Sequence, residues 1–198
     1  MNVSDFNNFT YLPPPAAVGA QRILIQPNPG YPFGPPVTVS MPVLEAVIAG
    51  IRAVNAKAEI LVVEGVCHRL PAHEIATRLG LSHEITFLDA DQLPLATYLN
   101  PLATPARFNE FQAPALLRQV DCRISIGACK WTILNGRPLF SGCVKNLYGL
   151  LPRAVYRSRS AHSRGQLHRP DVWRVIEDVW ATLGPLFDGG VVDASEEI

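Results

Sequence analysis

The segment SGCVKNLYGLLPR places a lysine and an asparagine, Lys145 and Asn146, just after a Ser-Gly pair suited to opening a helix, with Ser141 as its cap. A cation in the first helical turn opposes the helix dipole, which favours negative charge at that end. A bound anion would reconcile the two, because the helix N-terminus and the ammonium would both attract it. The alternative is a lysine whose head snorkels to solvent. Downstream, RAVYRSRSAHSRGQLHR adds Arg153, Arg157, Arg159, Arg164 and Arg169, with His162 and His168. Guanidinium groups make paired contacts to phosphate or carboxylate, and imidazole moves a proton near neutral pH. These residue types suit a small anionic ligand, although the block could also be a solvated basic loop folded against the acidic C-terminal residues.

Other polar candidates close apolar runs. Asn28 follows RILIQ, Glu64 ends EILVVE, Asp89 and Asp91 follow EITFL, and Lys130 follows CRISIGA. In an open parallel sheet ligands bind beyond the carboxyl ends of the strands, where loops diverge; otherwise these are ordinary loop positions. The elements that must position them are readable as a pattern. A strand at Arg22 to Gln26 runs into a glycine- and proline-dense loop, then a helix in which Val43, Val47, Ile51 and Val54 recur at helical spacing, then the strand EILVVEG. Strand, helix and strand make a crossover unit with a parallel pair. A short helix from His73 to Leu81, a strand from Glu84 to Leu88, an irregular excursion from Asp89 to Pro114 and a strand from Cys122 to Gly127 follow. Phe140 to Leu151 and Asp171 to Leu183 read as helices, and Gly189 to Asp193 as a last strand. The expectation is an α/β fold built from βαβ units, a mostly parallel sheet with helices on both faces over residues 22–198, after an extended proline-rich arm at 1–21.

The chain of 198 residues is 48% apolar, which excludes disorder as a description of the whole. No apolar run reaches the roughly 18–20 residues of a membrane span, and the N-terminus lacks a signal-peptide pattern, so a cytoplasmic protein without a membrane partner is expected. The 17 basic and 17 acidic residues cancel unevenly: 10 and 10 in residues 1–144, 7 and 1 in 145–174, 0 and 6 in 175–198. A nucleic-acid partner is disfavoured because Tyr156 is the one Tyr, Trp or Phe within residues 153–169. Cys67, His68 and His73 match no common zinc spacing, and Cys122, Cys129 and Cys143 lack the tight four-cysteine pattern of a cluster. No metal-ligand set and no self-contained iron–sulfur motif is therefore read, and the cofactor stays open. No GxGxxG, P-loop or GxSxG motif is present.

The stretch FSGCVKNLYGLLP resembles the signature of the domain-of-unknown-function family 362: Ser/Thr-Gly, a few apolar residues, Lys-Asn, a glycine and a proline before a basic stretch with a histidine. ILIQPN is similar to that family's early strand, ILVVEG to its second and GVVDASE to its later one, so the resemblance covers residues 22–198 in order. It implies a site of Asn28, Glu64, Lys130, Lys145, Asn146, His162 and Asp193. Within it Lys145, His162, Lys130 and Glu64 would be catalytic and Asn28, Asn146 and Asp193 would bind substrate, with Arg153 and Arg157 of the basic block added to the binding set. Two positions depart from the pattern: Gln26 stands where the family has a lysine, and Thr132 where it has a histidine. The resemblance implies a redox-linked enzyme acting on a small anionic substrate, with electrons from an iron–sulfur partner. The rival expectation is a non-catalytic binding or assembly protein for a cofactor or partner protein.

Overall fold

The computed structural model describes residues 9–81, 85–160 and 162–195. The first eight residues of the expected arm, Glu84 of the expected third strand and Glu196 of GVVDASE lie outside them. The chain runs β1 (Arg22–Gln26), α1 (Met41–Val54), β2 (Glu59–Glu64), α2 (Ala72–Arg78), β3 (Thr86–Asp89), β4 (Leu95–Leu99) and β5 (Glu110–Pro114). It continues through β6 (Cys122–Ala128), β7 (Lys130–Leu134), β8 (Arg137–Ser141), α3 (Cys143–Asn146), α4 (Arg153–Tyr156), α5 (Val172–Leu183) and β9 (Gly189–Asp193).

Five strands form one parallel sheet in the order β3-β2-β1-β6-β9. The central strands are almost continuously apolar because both faces are covered. Ile23, Ile25, Ile60, Val62, Ile124 and Ile126 meet Val43, Leu44, Val47 and Ile51 of α1 on one face. Leu24, Leu61 and Val63 meet Leu147, Leu150, Val172, Val175, Val179 and Leu183 on the other. The expected α/β architecture is thus observed, with helices on both faces.

α1 begins at Ser40 with Pro42 in its first turn, where the missing proline N–H costs nothing. The Ser40 backbone N–H donates to Asp193 Oδ2 at 2.6 Å, which ties the helix start to the end of β9. α5 is capped by Asp171, whose side chain accepts from the Trp173 N–H at 2.9 Å. Residues 9–20 lie against α1, with Ala17 and Ala20 buried and Asn55 Nδ2 donating to both of their carbonyls at 2.9 and 2.8 Å.

Two segments differ from the sequence reading. The excursion from Asp89 to Pro114 contains an antiparallel hairpin, β4 on β5, paired from Leu95↔Pro114 to Leu99↔Glu110. Its prolines interrupt a helix but are tolerated at a strand end and in the connecting loop. The helix expected from Phe140 to Leu151 is divided: β8 runs through Ser141, Gly142 precedes α3, and Leu147–Leu150 tighten into a 3-10 turn. β7 and β8 form a second hairpin turned at Asn135 and Gly136, whose φ values of 51° and 75° are those that an Asn-Gly turn supplies.

The first hairpin's loop is held by one buried carboxylate. Asp178 of α5 accepts from the backbone N–H groups of Ala106 at 2.9 Å, Arg107 at 3.0 Å and Phe108 at 3.4 Å. Asp178→Ala leaves these donors without their acceptor. We expect it to lower unfolding stability by about 2–4 kcal/mol in urea titrations. Hydrogen exchange should quicken at residues 106–108 first; an unchanged midpoint would show that water replaces the carboxylate freely.

Candidate functional site

The strand order reverses between β1 and β6, and here the loops leave the sheet in opposite directions. Gln26, the last residue of β1, is fully buried at this point. Its Nε2 donates to Glu64 Oε2 at 2.7 Å and to the Asn146 carbonyl at 2.8 Å, and its Oε1 accepts from Ser125 Oγ at 3.2 Å. Asn146 Nδ2 in turn donates to the carbonyls of Gln26 at 3.0 Å, Pro27 at 3.3 Å and Ile126 at 3.1 Å, and to Ser125 Oγ at 3.2 Å. The asparagine of the Lys-Asn pair therefore fastens α3 to the ends of β1 and β6.

The spacing of Gly149 after that pair has a physical reason. A Cβ at Gly149 would collide with the carboxylate of Glu64, so only glycine lets the 3-10 turn lie directly on it. Gly30 approaches the same carboxylate from the other side: a Cβ there would stand 3.5 Å from Oε1. Enclosed in this way, Glu64 is pushed up by burial to about 8, against the lowering effect of the Gln26 hydrogen bond and then of Arg164 and Lys130.

Cations surround it. Arg164 is buried, with its guanidinium donating to the carbonyl of Leu151, to the carbonyl of Gly149 at 3.1 Å and to Cys67 Sγ at 2.8 Å. Arg153 pairs with Asp91 through Nε at 2.5 Å and its backbone N–H at 2.7 Å, and Arg164 Nη2 stands 3.8 Å from the same carboxylate. Lys130 Nζ donates to the Val37 carbonyl in the loop after β1 at 2.7 Å, and burial pulls its ammonium down. Lys145 lies with Nζ 3.9 Å from the Tyr148 ring centroid, and burial pulls it down to about 8. Lys130 and Arg164 pull it further down, and Glu64 opposes them. Among the described residues neither Lys130 nor Lys145 has an ion pair.

Of the residues expected from sequence, Glu64, Lys130, Lys145 and Asn146 are brought together, with Arg153 joined to them through Asp91. Asn28 is half-buried just past β1. Arg157 is exposed. Asp193 sits on the same sheet edge, but its carboxylate is taken by the N–H groups of Ser40 at 2.6 Å and Ser195 at 3.0 Å. His162 is half-buried; its own N–H donates to Ser160 Oγ at 3.2 Å, and its Nδ1 finds no hydrogen-bond partner among the described residues. His168 instead feels Lys145: burial and then that ammonium pull its imidazole down, and its ring meets Tyr148 edge-on at 5.8 Å. Thr132 is exposed on β7. Gln26, Ser125, Cys67 and Gly149 complete the arrangement; Gln26 is signalled as the polar end of an apolar strand, whereas Ser125 stands in the middle of β6. Among the described residues no group of three or more His, Cys, Asp or Glu converges as a metal site would.

No curated protein matches the chain in sequence. In fold the chain is similar to the lactate racemase apoprotein from Thermoanaerobacterium thermosaccharolyticum, with a TM-score of 0.55 and 15% identity. That likeness covers 97% of this chain and 46% of the other, so the chain spans less than half the length of that protein. A match with the family described as Domain of unknown function (DUF362) extends over residues 23–194, from β1 through the end of β9. It takes in the Gln26–Glu64–Asn146 network and every cation around it, and the chain belongs to that family.

Proposed function

We propose that the protein binds a small carboxylate-bearing molecule at the carboxyl edge of the sheet and exchanges a proton with it through Glu64. One observation carries this reading: a buried carboxyl group titrating at about 8 beside two lysines that have no ion pair among the described residues. Near pH 7 such a group is mostly protonated, and Lys145, at about 8, is mostly charged. The site then carries excess positive charge with a proton donor inside it, which suits an incoming anion. Lys145 and Lys130 would take the carboxylate. Gln26 and Asn146 would act as positioning residues, because they fix Glu64 and the turn that covers it. Fold analogy adds associational support: lactate is a small 2-hydroxy acid, and its racemisation breaks and remakes a bond to hydrogen at the chiral carbon. Electron transfer, implied by the family resemblance through an iron–sulfur partner, would draw on a carrier outside these residues and use the same binding groups.

A second reading, binding or assembly without turnover, is favoured by the β7–β8 hairpin. Trp131, Ile133 and Phe140 are exposed there, with Trp131 and Phe140 packed edge-on at 5.3 Å. Turnover separates the two readings. Incubation with pyruvate in D2O, followed by proton NMR, should show deuterium entering the methyl group faster than without protein, as Glu64 protonates the carbonyl oxygen while a methyl proton passes to solvent. Glu64→Gln should abolish the acceleration, and Lys145→Met should weaken lactate binding by about 10- to 100-fold in calorimetry, the worth of a charge-assisted contact. Binding without acceleration would favour the assembly reading, and absence of both would remove the carboxylate.

Titration gives a further expectation. Glu64 rises from its ordinary 4.5 to about 8 on folding, so its contribution is whole below about 4.5 and is lost as pH climbs toward 8, where the unfolded chain ionises freely. Lys145 falls from 10.5 to about 8, so its burial penalty persists below 8 and is relieved between 8 and 10.5. Urea unfolding of the ligand-free protein should show stability falling from about pH 5 to pH 8 and partly recovering above it. Glu64→Gln should flatten the first limb; a wild-type profile that rises from pH 5 to 8 would contradict the assignment.

A further inference from the structure

We propose that Cys67 is the nucleophile of this site and attacks an electrophilic carbon carried by a small carboxylate. The inference rests on the carboxylate-binding reading and adds a covalent step to it. The cysteines differ in their surroundings. Cys122 is fully buried against α1, and burial pushes its thiol up to about 11. Cys143 donates its S–H to the Val191 carbonyl at 2.9 Å, so its hydrogen is committed to an acceptor. Cys129 is half-buried, and its backbone N–H donates to the Asp193 carbonyl at 2.7 Å.

Cys67 Sγ accepts from a cation, and its own S–H reaches the Gly65 carbonyl only at 4.0 Å, against the 2.9 Å of Cys143 to its acceptor. Arg164 Nη1 points a hydrogen at its Sγ from 2.8 Å. That guanidinium is fixed by the carbonyls of Leu151 and Gly149 and by Asp91, and its side chain is only 4% exposed. A buried, immobilised cation beside a sulfur stabilises the negative charge the sulfur carries when it attacks. Cys67 is itself half-buried and therefore reachable, and its N–H donates to the Gly30 carbonyl at 2.9 Å, which pins it between the loops after β1 and β2. It also lies beside the lysine cluster: Arg164 joins its sulfur to the Gly149 carbonyl, on the turn that follows Lys145 and covers Glu64. A carboxylate held by those ammonium groups would bring a neighbouring carbon toward the sulfur.

The substrate class that fits is a 2-oxo acid or similar carboxylate with an adjacent carbonyl. A sulfur lone pair forms the C–S bond, the C=O π pair moves onto oxygen, and the proton given up by the thiol ends on that oxygen. The product is a thiol adduct at the same overall oxidation level, so no external oxidant or reductant enters.

Paired alkylating reagents test this on the full chain. Iodoacetate and iodoacetamide react identically, sulfur displacing iodide, which leaves with the bonding pair while the thiol proton passes to buffer. Only iodoacetate carries the carboxylate. Peptide mapping by mass spectrometry under limiting reagent should find Cys67 modified ahead of Cys129. The iodoacetate-to-iodoacetamide rate ratio should be at least about 10-fold higher at Cys67 than at Cys129, the equivalent of one charge-assisted contact. Lys145→Met should bring that ratio down toward the Cys129 value, and L-lactate should protect Cys67 in the wild type. Equal ratios at the two cysteines in the wild-type protein would overturn the proposal without any variant. If lactate still binds in calorimetry while the ratios are equal, the carboxylate site stands and the nucleophile falls; if neither holds, both fall.

Discussion

Where β1 and β6 part company, the carbonyls of Gln26, Pro27 and Ile126 converge on the side-chain amide of Asn146. A buried carbonyl left without a donor costs about 1–3 kcal/mol, and Asn146 Nδ2 serves three of them together with Ser125 Oγ. Its two hydrogens must be shared among four acceptors, so the amide has little freedom to turn. Chain adjacency transmits that constraint. Lys145 is set one residue before it, Leu147 and Leu150 drop into the core under the sheet, and Gly149 lies on the carboxylate of Glu64. The weakest place in a doubly wound sheet, the opening at its switch point, is thereby closed by the same residue that builds the site.

Electrostatics follow the same economy. Among the described residues, the acidic C-terminal side chains do not fold wholesale onto the basic block. Asp178 and Asp193 are spent on backbone N–H groups, and Asp188 accepts from the Arg123 N–H and faces its guanidinium at 3.6 Å. The basic block divides in two. Arg153 and Arg164 turn inward to share Asp91, while Arg157, Arg159 and Arg169 stay exposed. Asp91 cannot neutralise the whole interior group, since it already serves two arginines. The lysines therefore keep their excess charge at the edge where the loops diverge.

Legibility in the sequence tracks how local each signal is. β1, β2 and β6 announce themselves as apolar runs, because strands covered on both faces need nothing but apolar side chains. α5 shows its period and its Asp171 cap. The two hairpins were harder to see: each strand is five residues long, and β7 leaves Trp131 and Ile133 exposed, so no continuous buried run marks it. The Asn135-Gly136 dipeptide marks the turn, but the Lys-Asn signature just after it favours a helix over 140–151. In the site, strand-end position pointed to Glu64 and Lys130. The pairing of Cys67 with Arg164 joins residues far apart in the chain, and no spacing rule reaches that far.

Gln26 shows how one such tertiary fact changes the chemistry. As a departure from the family pattern it reads as a lost cation. In the structure it occupies the space between Glu64 and Asn146 and gives the carboxyl group a neutral hydrogen-bond donor. A lysine in that place would favour the ionised carboxylate through direct charge pairing, and Glu64 would then hold no proton near neutrality. An amide lowers the titration point much less than a full charge would, so burial prevails and the group rises to about 8. The surrounding Lys130 and Arg164 are turned toward the Val37 carbonyl and toward Cys67, which leaves Glu64 without a cation in hydrogen-bond contact among the described residues. Glutamine at this position thus keeps a carboxylic acid protonated beside lysines that have no ion pair among the described residues. An acid in that state can give its proton to a bound anion, a step that a permanently ionised carboxylate could not begin.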